Sequence, residues 1–420
     1  MKPAPVSKRR TLCLLCASSR LDIVLPLAPT PIADDFVYKN RLGEVQAYFP
    51  LDVALCLDCG HLQLLDAVNP DLLFGSYIYV STSSPGLVDH FKKAAQRLRD
   101  LVQPGEDAFA FDIGSNDGTL LRALKEQGFR VLGVDPAKET AQRATESGVE
   151  TIPAYFTSEL ARRIRKERGA AALITANNVF AHSETLPDMA DGVAALLADD
   201  GLFVFEVAYL VDMLEQFVFD SVYHEHLGYH SLKPLASFLK KHGLELIDAE
   251  RVAQKGGSLR CTAQKAGGSR PVSERVDDLS QRETEMGLAK PAVFLEYAAT
   301  ILRRKAELEE ALSPLQAQGK TVAGYGASAT VTTLLHHFDL GKKIAYLFDD
   351  NEIKHGRYSP GHHIPVLPSE QLYVKKPGAV VILAWRFAGM IIKKHKRYLD
   401  EGGIFIVPLP KLEIFGDHHG

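Results

Sequence analysis

Three groups of residues in this 420-residue chain have the types and spacing for chemistry. The first is the run Phe111-Asp112-Ile113-Gly114-Ser115-Asn116-Asp117-Gly118-Thr119, in which an apolar strand ends in a glycine-punctuated turn and passes into a helix. One strand later, Val131–Val134 ends at Asp135. Glycine accepts backbone dihedrals that other residues resist, so such a turn lets a ligand approach closely. An acid at the tip of the following strand can bind the two hydroxyls of a ribose. The turn lacks the G-x-G-x-x-G pattern that delivers a helix N-terminus to a pyrophosphate. Ser115, Asn116 and Asp117 instead suit a ligand with an amine and no phosphate, which describes S-adenosylmethionine.

The second group is Tyr223-His224-Glu225-His226, placed after the strand Leu202–Val207 and before the helix Lys233–His242. That position is a loop on the ligand edge of a parallel sheet. Histidine and glutamate both transfer protons, and histidine titrates near neutrality. The run is not the zincin H-E-x-x-H, whose histidines lie one helical turn apart, so it reads as acid/base chemistry. His182, after the strand Leu173–Thr175, falls on the same edge.

The third group is Cys13-Leu-Leu-Cys16 with Cys56-Leu-Asp-Cys59, two C-x-x-C knuckles that form a tetrathiolate for structural zinc. Four thiolates close the coordination shell and leave no open position for catalysis. Cys261 stands alone and reads as a core residue.

Positioning these groups requires an α/β protein. Strands and helices alternate from Ala108 to Val207, which implies a parallel sheet wrapped by helices. Leu244–Val252 and Ser258–Ala263 are late strands joined at Gly256-Gly257. A long charged helix, Phe294 to about Gln316, precedes a second alternating unit with its own turn, Gly324-Tyr325-Gly326-Ala327-Ser328-Ala329, at a helix N-terminus. Such a turn offers free amides and a helix dipole to an anion. The expected domains are a zinc module over 1–75, a methyltransferase domain over 76–266 and a Rossmann-like domain over 267–420, with no evident internal repeat.

A net charge of −4 with 24% charged residues argues against general binding to nucleic acid or to a membrane surface. No apolar run approaches the ~20 residues of a membrane span. The N-terminus lacks a secretory apolar core, so a cytoplasmic enzyme is expected, as a monomer or small homo-oligomer. Lys8-Arg9-Arg10 reads as a solvated terminus.

In this order, the pieces resemble the sugar C-methyltransferases of deoxysugar biosynthesis, over nearly the whole chain. The motifs that carry the resemblance are the two knuckles, the Gly114–Gly118 turn, Asn177-Asn178-Val179-Phe180-Ala181-His182, Tyr223-His224-Glu225-His226-Leu227, Gly256-Gly257-Ser258-Leu259-Arg260, the Gly324–Ala329 turn, Gly356-Arg357-Tyr358-Ser359-Pro360-Gly361 and Ile382-Leu383-Ala384-Trp385. The resemblance implies S-adenosylmethionine as methyl donor and a nucleotide-linked ketosugar as acceptor. It implies His226 as the base that forms an enolate, with Glu225 orienting it. Tyr223 and His182 would stabilise the oxyanion or shuttle protons. A tyrosine following the zinc module, Tyr77 in preference to Tyr79, would lie near the sugar. Asn177 and Asn178 would join the cofactor site. Gly324, Tyr325, Gly326, Ala327 and Ser328 would hold the pyrophosphate, with Asn351, Arg357 and Tyr358 contacting the nucleotide.

Two departures bear on the nucleotide. Thr330-Val331-Thr332-Thr333 stands where the family often has Lys-Gly-Asn-Thr, and Arg386 where it often has Asn. The nucleotide (TDP, GDP or CDP) therefore stays open. The competing readings are methylation of another activated acceptor, including O-methylation, a zinc-ribbon RNA methyltransferase and a non-catalytic nucleotide-sugar binder. The net acidic charge and the second Rossmann-like unit argue against RNA, and the H-E-H run argues against a mere binder.

Overall fold

The computed structural model describes residues 6–74, 86–253 and 256–416. The N-terminal module contains strands β1 (Ser7–Arg9), β2 (Leu21–Thr30), β3 (Phe49–Cys56), β4 (Leu62–Leu64) and β5 (Asp66–Val68). β2, β3 and β4 form an antiparallel meander, and β1 pairs with β5. Val24, Leu51, Val53, Leu55, Leu62 and Leu64 close the core of this small unit. Lys8 and Arg9 are exposed, as a solvated segment requires, but Arg10 is not. Arg9 bridges Asp66 and Asp52 at 2.6 and 3.1 Å, and Arg10 pairs with Glu184 at 3.2 Å. The carboxylates that draw these arginines in lie far off in sequence, so the run alone could not reveal them.

The central domain is built on β6 (Phe109–Ile113), β7 (Arg130–Val134), β8 (Thr151–Ile152), β9 (Ala171–Asn177) and β10 (Leu197–Ala208). After the two-residue strand β11 (Gly228–Tyr229) come β12 (Leu244–Val252) and β13 (Ser258–Lys265). The sheet runs β12-β13-β10-β9-β6-β7-β8, with β13 antiparallel to both its neighbours and the other pairings parallel. Every residue of β6 is buried, as expected of a central strand covered on both faces. The helix Leu87–Val102 packs Leu87, Phe91, Ala95 and Leu98 on one face of this domain, beside the helix Thr119–Glu126.

β11 belongs to neither neighbour in the chain. It pairs antiparallel with β4, as the fourth strand of the N-terminal sheet. The segment that follows Tyr223–His226 is therefore hydrogen-bonded to the zinc module.

The helices Glu274–Glu285 and Pro291–Ala317 lead into the third unit. The second is longer than its sequence pattern indicates, because Pro291 fits the first turn, where its missing N–H costs nothing. Phe294, Tyr297, Ile301, Leu308, Leu312 and Leu315 form its buried stripe. The unit's strands are β14 (Val322–Tyr325), β15 (Leu347–Asp349), β16 (Val366–Pro368), β17 (Ala379–Ile382), β18 (Phe405–Val407) and β19 (Glu413–Phe415). Their order is β16-β15-β14-β17-β18-β19, parallel except for β19. Strand for strand, this repeats β8-β7-β6-β9-β10-β13 of the central sheet. Buried apolar residues from all three units form one connected core.

Candidate active site

The four cysteines converge as their spacing requires. Cys13 and Cys16 lie in the loop before β2, Cys56 is the last residue of β3 and Cys59 lies in the turn that follows it. Cys13 Sγ is 3.6 Å from Cys59 Sγ, Cys16 Sγ is 3.5 Å from Cys56 Sγ, and all four sulfurs lie within 4.8 Å of one another. A tetrahedral zinc with bonds of about 2.3 Å would place its sulfurs roughly 3.8 Å apart, so the donor set fits the metal. The crowding sets the sulfurs against one another: the hydrogen bond from Cys59 draws Cys13 down to about 5, while burial pushes Cys16 up to about 11. A dication removes that conflict by holding all four as thiolates. Cys261 lies on β13 and is wholly buried, as a core residue.

The first glycine turn places its groups by packing. Gly114 has φ 68°, and a Cβ there would come within 2.3 Å of Val179 Cγ2. Only glycine lets the loop after β9 close against the loop after β6. The loop after β9 starts from Asn177, the last residue of that strand, and Asn178, whose φ is 56° and whose N–H donates to the Glu206 carbonyl at 2.8 Å. Asp135, just past β7, accepts from Asn116 N at 2.9 Å and from Ala137 N at 2.9 Å. Burial still raises its pKa. These amides fix the Asp135 carboxylate at the tip of β7, on the ligand edge of the sheet. Ser115 points down instead, with Oγ buried against Gly133, and Asp117 Oδ1 accepts from Thr119 N and Oγ1 at 3.2 and 2.5 Å just before the helix that follows Gly118. The Ser115 side chain is thus turned into the fold, away from Asp135 and the turn's backbone.

Two residues missed in the sequence support this edge. Glu206 on β10, paired in register with Asn177, is buried at 3% exposure. Burial would raise its pKa, but His90 at 3.3 Å and Arg260 at 2.6 Å hold it below the ordinary value. The signal was one acid inside the apolar run Leu202-Phe203-Val204-Phe205-Glu206-Val207. Arg260 comes from the Gly256–Arg260 motif and also reaches Glu250 at 2.8 Å.

The second cluster assembles beside this edge. The Tyr223 and His226 rings lie 4.1 Å apart, and His182 stacks on His226 at 5.1 Å with 27° between the planes. His226 Nδ1 is 2.7 Å from the Ser221 carbonyl. A carbonyl only accepts, so Nδ1 carries the hydrogen and, in the neutral ring, Nε2 is the basic nitrogen. The Tyr223 phenol is pushed well above its ordinary pKa by burial, then by the Glu225 and Asp34 carboxylates, with Arg386 opposing. It remains a hydroxyl donor at any physiological pH. Glu225 is buried at 7% exposure. His224 turns the other way. Its Nε2 is 3.3 Å from the Pro50 carbonyl, its ring meets Phe49 edge-on, and burial lowers it to about 4. It anchors the loop to the zinc module as a neutral ring. Tyr77 and Tyr79 lie outside the described residues.

All three units meet at this cluster. The Trp385 indole donates to Asp220 Oδ2 at 2.9 Å, Thr333 Oγ1 donates to the Val222 carbonyl at 2.7 Å and Thr332 Oγ1 donates to the Ala33 carbonyl at 2.7 Å. The C-terminal domain thus grips both the loop before Tyr223 and the zinc module. Lys354, buried at 9% exposure, joins Asp34 at 2.9 Å to the Ala327 carbonyl at 2.6 Å. Val37 and Tyr358 exchange backbone hydrogen bonds at 3.0 and 2.9 Å, and Arg357 lies 4.5 Å over the Tyr38 ring.

In the second glycine turn, Gly326 has φ 114° and packs a would-be Cβ 2.7 Å from Ala384. Tyr325 faces inward and donates to Asp350 at 3.0 Å, with His395 Nε2 also at 3.0 Å. Ser328 Oγ is 2.9 Å from Thr330 Oγ1. Asn351 Oδ1 accepts from Ile353 N at 3.1 Å, capping the short helical turn that carries Lys354. Gly324 lies within β14 with no room for a Cβ, 2.6 Å from Leu347 Cδ2.

An N-terminal tetrathiolate, a doubly wound sheet with an acid-tipped second strand and a histidine cluster on the same edge define an S-adenosylmethionine-dependent methyltransferase with a structural zinc module. Residues 13–74 match a zinc binding domain family, 89–249 a methyltransferase domain family and 253–410 the C-methyltransferase C-terminal domain family. The chain is 35% identical over 400 residues, 95% of each chain, to the C-methyltransferase NovU of Streptomyces niveus. It is 26% identical over 72 residues, 17% of this chain and 33% of the relative, to an uncharacterized methyltransferase of Alkaliphilus oremlandii. Among solved structures, magnesium protoporphyrin IX methyltransferase of Synechocystis with bound S-adenosylmethionine aligns at 14% identity and TM-score 0.33, covering 43% of this chain and 80% of that one. The chain belongs to the C-methyltransferase family that includes NovU. No helix among the described residues is long and apolar enough to cross a membrane.

Proposed function

We propose that this methyltransferase alkylates a carbon next to the ketone of a nucleotide-linked ketosugar, with His226 as the base. The observation that carries the reading is the pinned tautomer of His226, whose Nδ1 is bonded to the Ser221 carbonyl at 2.7 Å between Tyr223 and His182. A methyl group bound to carbon needs a carbon nucleophile, and a ketone supplies one once a neighbouring C–H is deprotonated. His226 Nε2 takes that proton, and the electron pair of the C–H bond passes into the enolate. The Tyr223 hydroxyl donates to the developing oxyanion; a positioned donor of this kind is worth about 3 kcal/mol. Glu225, close enough to act on the Tyr223 phenol, favours the imidazolium formed at His226. S-adenosylmethionine supplies an electrophilic methyl group at the Asp135 edge, and the C-terminal turn with Asn351, Arg357 and Tyr358 holds the nucleotide.

The test is incubation with a panel of nucleotide 4-ketosugars and the methyl donor, read by mass for the gain of one methylene. In deuterium oxide the wild-type protein should exchange the hydrogen next to the ketone, and His226→Asn should not. Exchange retained in His226→Asn moves the base to His182. Methylation without any exchange at carbon favours an oxygen acceptor.

A further inference from the structure

The two α/β domains carry the same acid in the same setting. In the central sheet Gly114 N donates to the Val134 carbonyl at 2.8 Å, and the next residue along β7's path, Asp135, accepts from Asn116 N at 2.9 Å and from its own i+2 amide, Ala137 N, at 2.9 Å. In the C-terminal sheet Gly326 N donates to the Phe348 carbonyl at 2.7 Å, and Asp349 accepts from Ala327 N at 2.6 Å and from its own i+2 amide, Asn351 N, at 2.8 Å. Both glycines have positive φ, 68° and 114°, and both turns open a helix, Thr119–Glu126 or Ala329–His337. The strand orders coincide. The difference is one residue of turn length: Asn116 lies two beyond its glycine and Ala327 one.

This arrangement changes what the second turn offers. The Ala327 amide, which an anion cradle would use, is taken by a carboxylate. A carboxylate oxygen still has lone pairs after accepting one amide, and an acid held this way at the tip of the second strand is suited to pentose hydroxyls. Arg357, on the segment that follows and 4.5 Å over the Tyr38 ring, adds positive charge for phosphates beyond the sugar, whereas Lys354 is already paired with Asp34.

We propose that Asp349 is the pentose-binding residue of a nucleoside diphosphate site in the C-terminal domain, the counterpart there of Asp135. The proposal rests on the reading that the acceptor carries a nucleotide. Asp349 accepts hydrogen bonds from the pentose hydroxyls, and the diphosphate lies toward Arg357.

The experiment is titration calorimetry on full-length protein saturated with S-adenosylhomocysteine, so that the central site is blocked. The ligands are ribonucleoside diphosphates and their 2′-deoxy and 2′,3′-dideoxy counterparts. The wild type should bind the fully deoxygenated form at least about tenfold more weakly than the hydroxylated one. Asp349→Asn should bind the hydroxylated ligand about as weakly, while its affinity for S-adenosylhomocysteine is unchanged. Equal wild-type affinity across the series, or full affinity in Asp349→Asn, overturns the Asp349 assignment alone. A wild type that binds no nucleoside diphosphate overturns the nucleotide reading and the assignment with it. The ligand series needs no variant, so a misfolded Asp349→Asn does not blunt the test.

Discussion

The hydroxyl of Thr333 donates to the carbonyl of Val222 at 2.7 Å, joining the helix that opens the second glycine turn to the residue before Tyr223. One position earlier, Thr332 donates to Ala33 of the zinc module, also at 2.7 Å. Both threonines are fully or almost fully buried. The C-terminal domain thereby fixes the backbone from which Tyr223 and His226 project, and a site made by three units depends on their registry.

Thr333→Val should therefore act on catalysis without touching substrate. It keeps the shape and removes one donor from a buried carbonyl, at a cost of about 1–3 kcal/mol. Urea unfolding should register that loss. The turnover number should fall roughly tenfold, in keeping with a small misplacement of reacting groups. Affinity for S-adenosylhomocysteine, bound on the other domain's turn, should be unchanged; a parallel loss there would mean global damage.

Zinc should matter to turnover although its shell is closed. β11 pairs with β4 through Gly228–Gln63 and Tyr229–Leu62, and His224 rests on Phe49 and Pro50. The Tyr223–His226 loop is thus framed on both sides by the zinc module. Metal analysis should return one zinc per chain. Cys56→Ser, or removal by a strong chelator, should lower the melting temperature and reduce methylation far more than cofactor binding. Unchanged turnover in zinc-free protein would detach the metal from the loop.

Asp135→Ala should abolish detectable binding of S-adenosylhomocysteine by calorimetry. Loss of two charge-assisted hydrogen bonds to the ribose, at about 1.5–3 kcal/mol each, predicts a drop of at least a hundredfold. Glu206→Gln is the milder companion. It weakens the ion pair with Arg260 and should reduce affinity by about tenfold or less, because the Asn178 amide bonds to the backbone carbonyl of Glu206, which the change leaves in place.

Much of this site was legible in the chain, for physical reasons that also mark where reading failed. The Gly114–Gly118 turn announces itself because a close approach to Val179 admits only glycine. The cysteine knuckles are local, so their spacing suffices. β11 is invisible because two residues carry no periodicity, and its partner β4 lies more than 150 residues earlier. Asp349 ends β15 and belongs to no motif. Its likeness to Asp135 rests on strand order and backbone hydrogen bonds, which no residue pattern records. The same holds for Lys354, drawn inside by Asp34 and the Ala327 carbonyl. The H-E-H run read as one cluster, yet its first histidine faces the zinc module and its last faces Tyr223, because Tyr223–His226 is a tight turn closed by the His226 N–H on the Tyr223 carbonyl at 2.9 Å, and its residues fan outward.

Asp112 gives the protein a pH-dependent cost that can be measured. It lies on β6 beneath the cofactor turn, and burial raises its pKa to about 7 despite a 2.6 Å hydrogen bond from Thr175 Oγ1. The ordinary value is 3.8. Between these limits the folded chain keeps a proton that the unfolded chain has released. Folding then takes up a proton, so this group's contribution to stability falls as pH rises from about 4 and levels off above about 7. A shift of that size corresponds to a few kcal/mol at about 1.4 kcal/mol per unit. Asp112→Asn retains an acceptor for Thr175 and cannot ionise. The variant should be more stable than wild type at pH 8 by a few kcal/mol in urea unfolding, and the gap should close toward pH 4.5. Taking the difference between the two proteins at each pH removes the contribution of every other carboxyl group. A gap that stays constant across the range would mean that Asp112 ionises normally within the sheet.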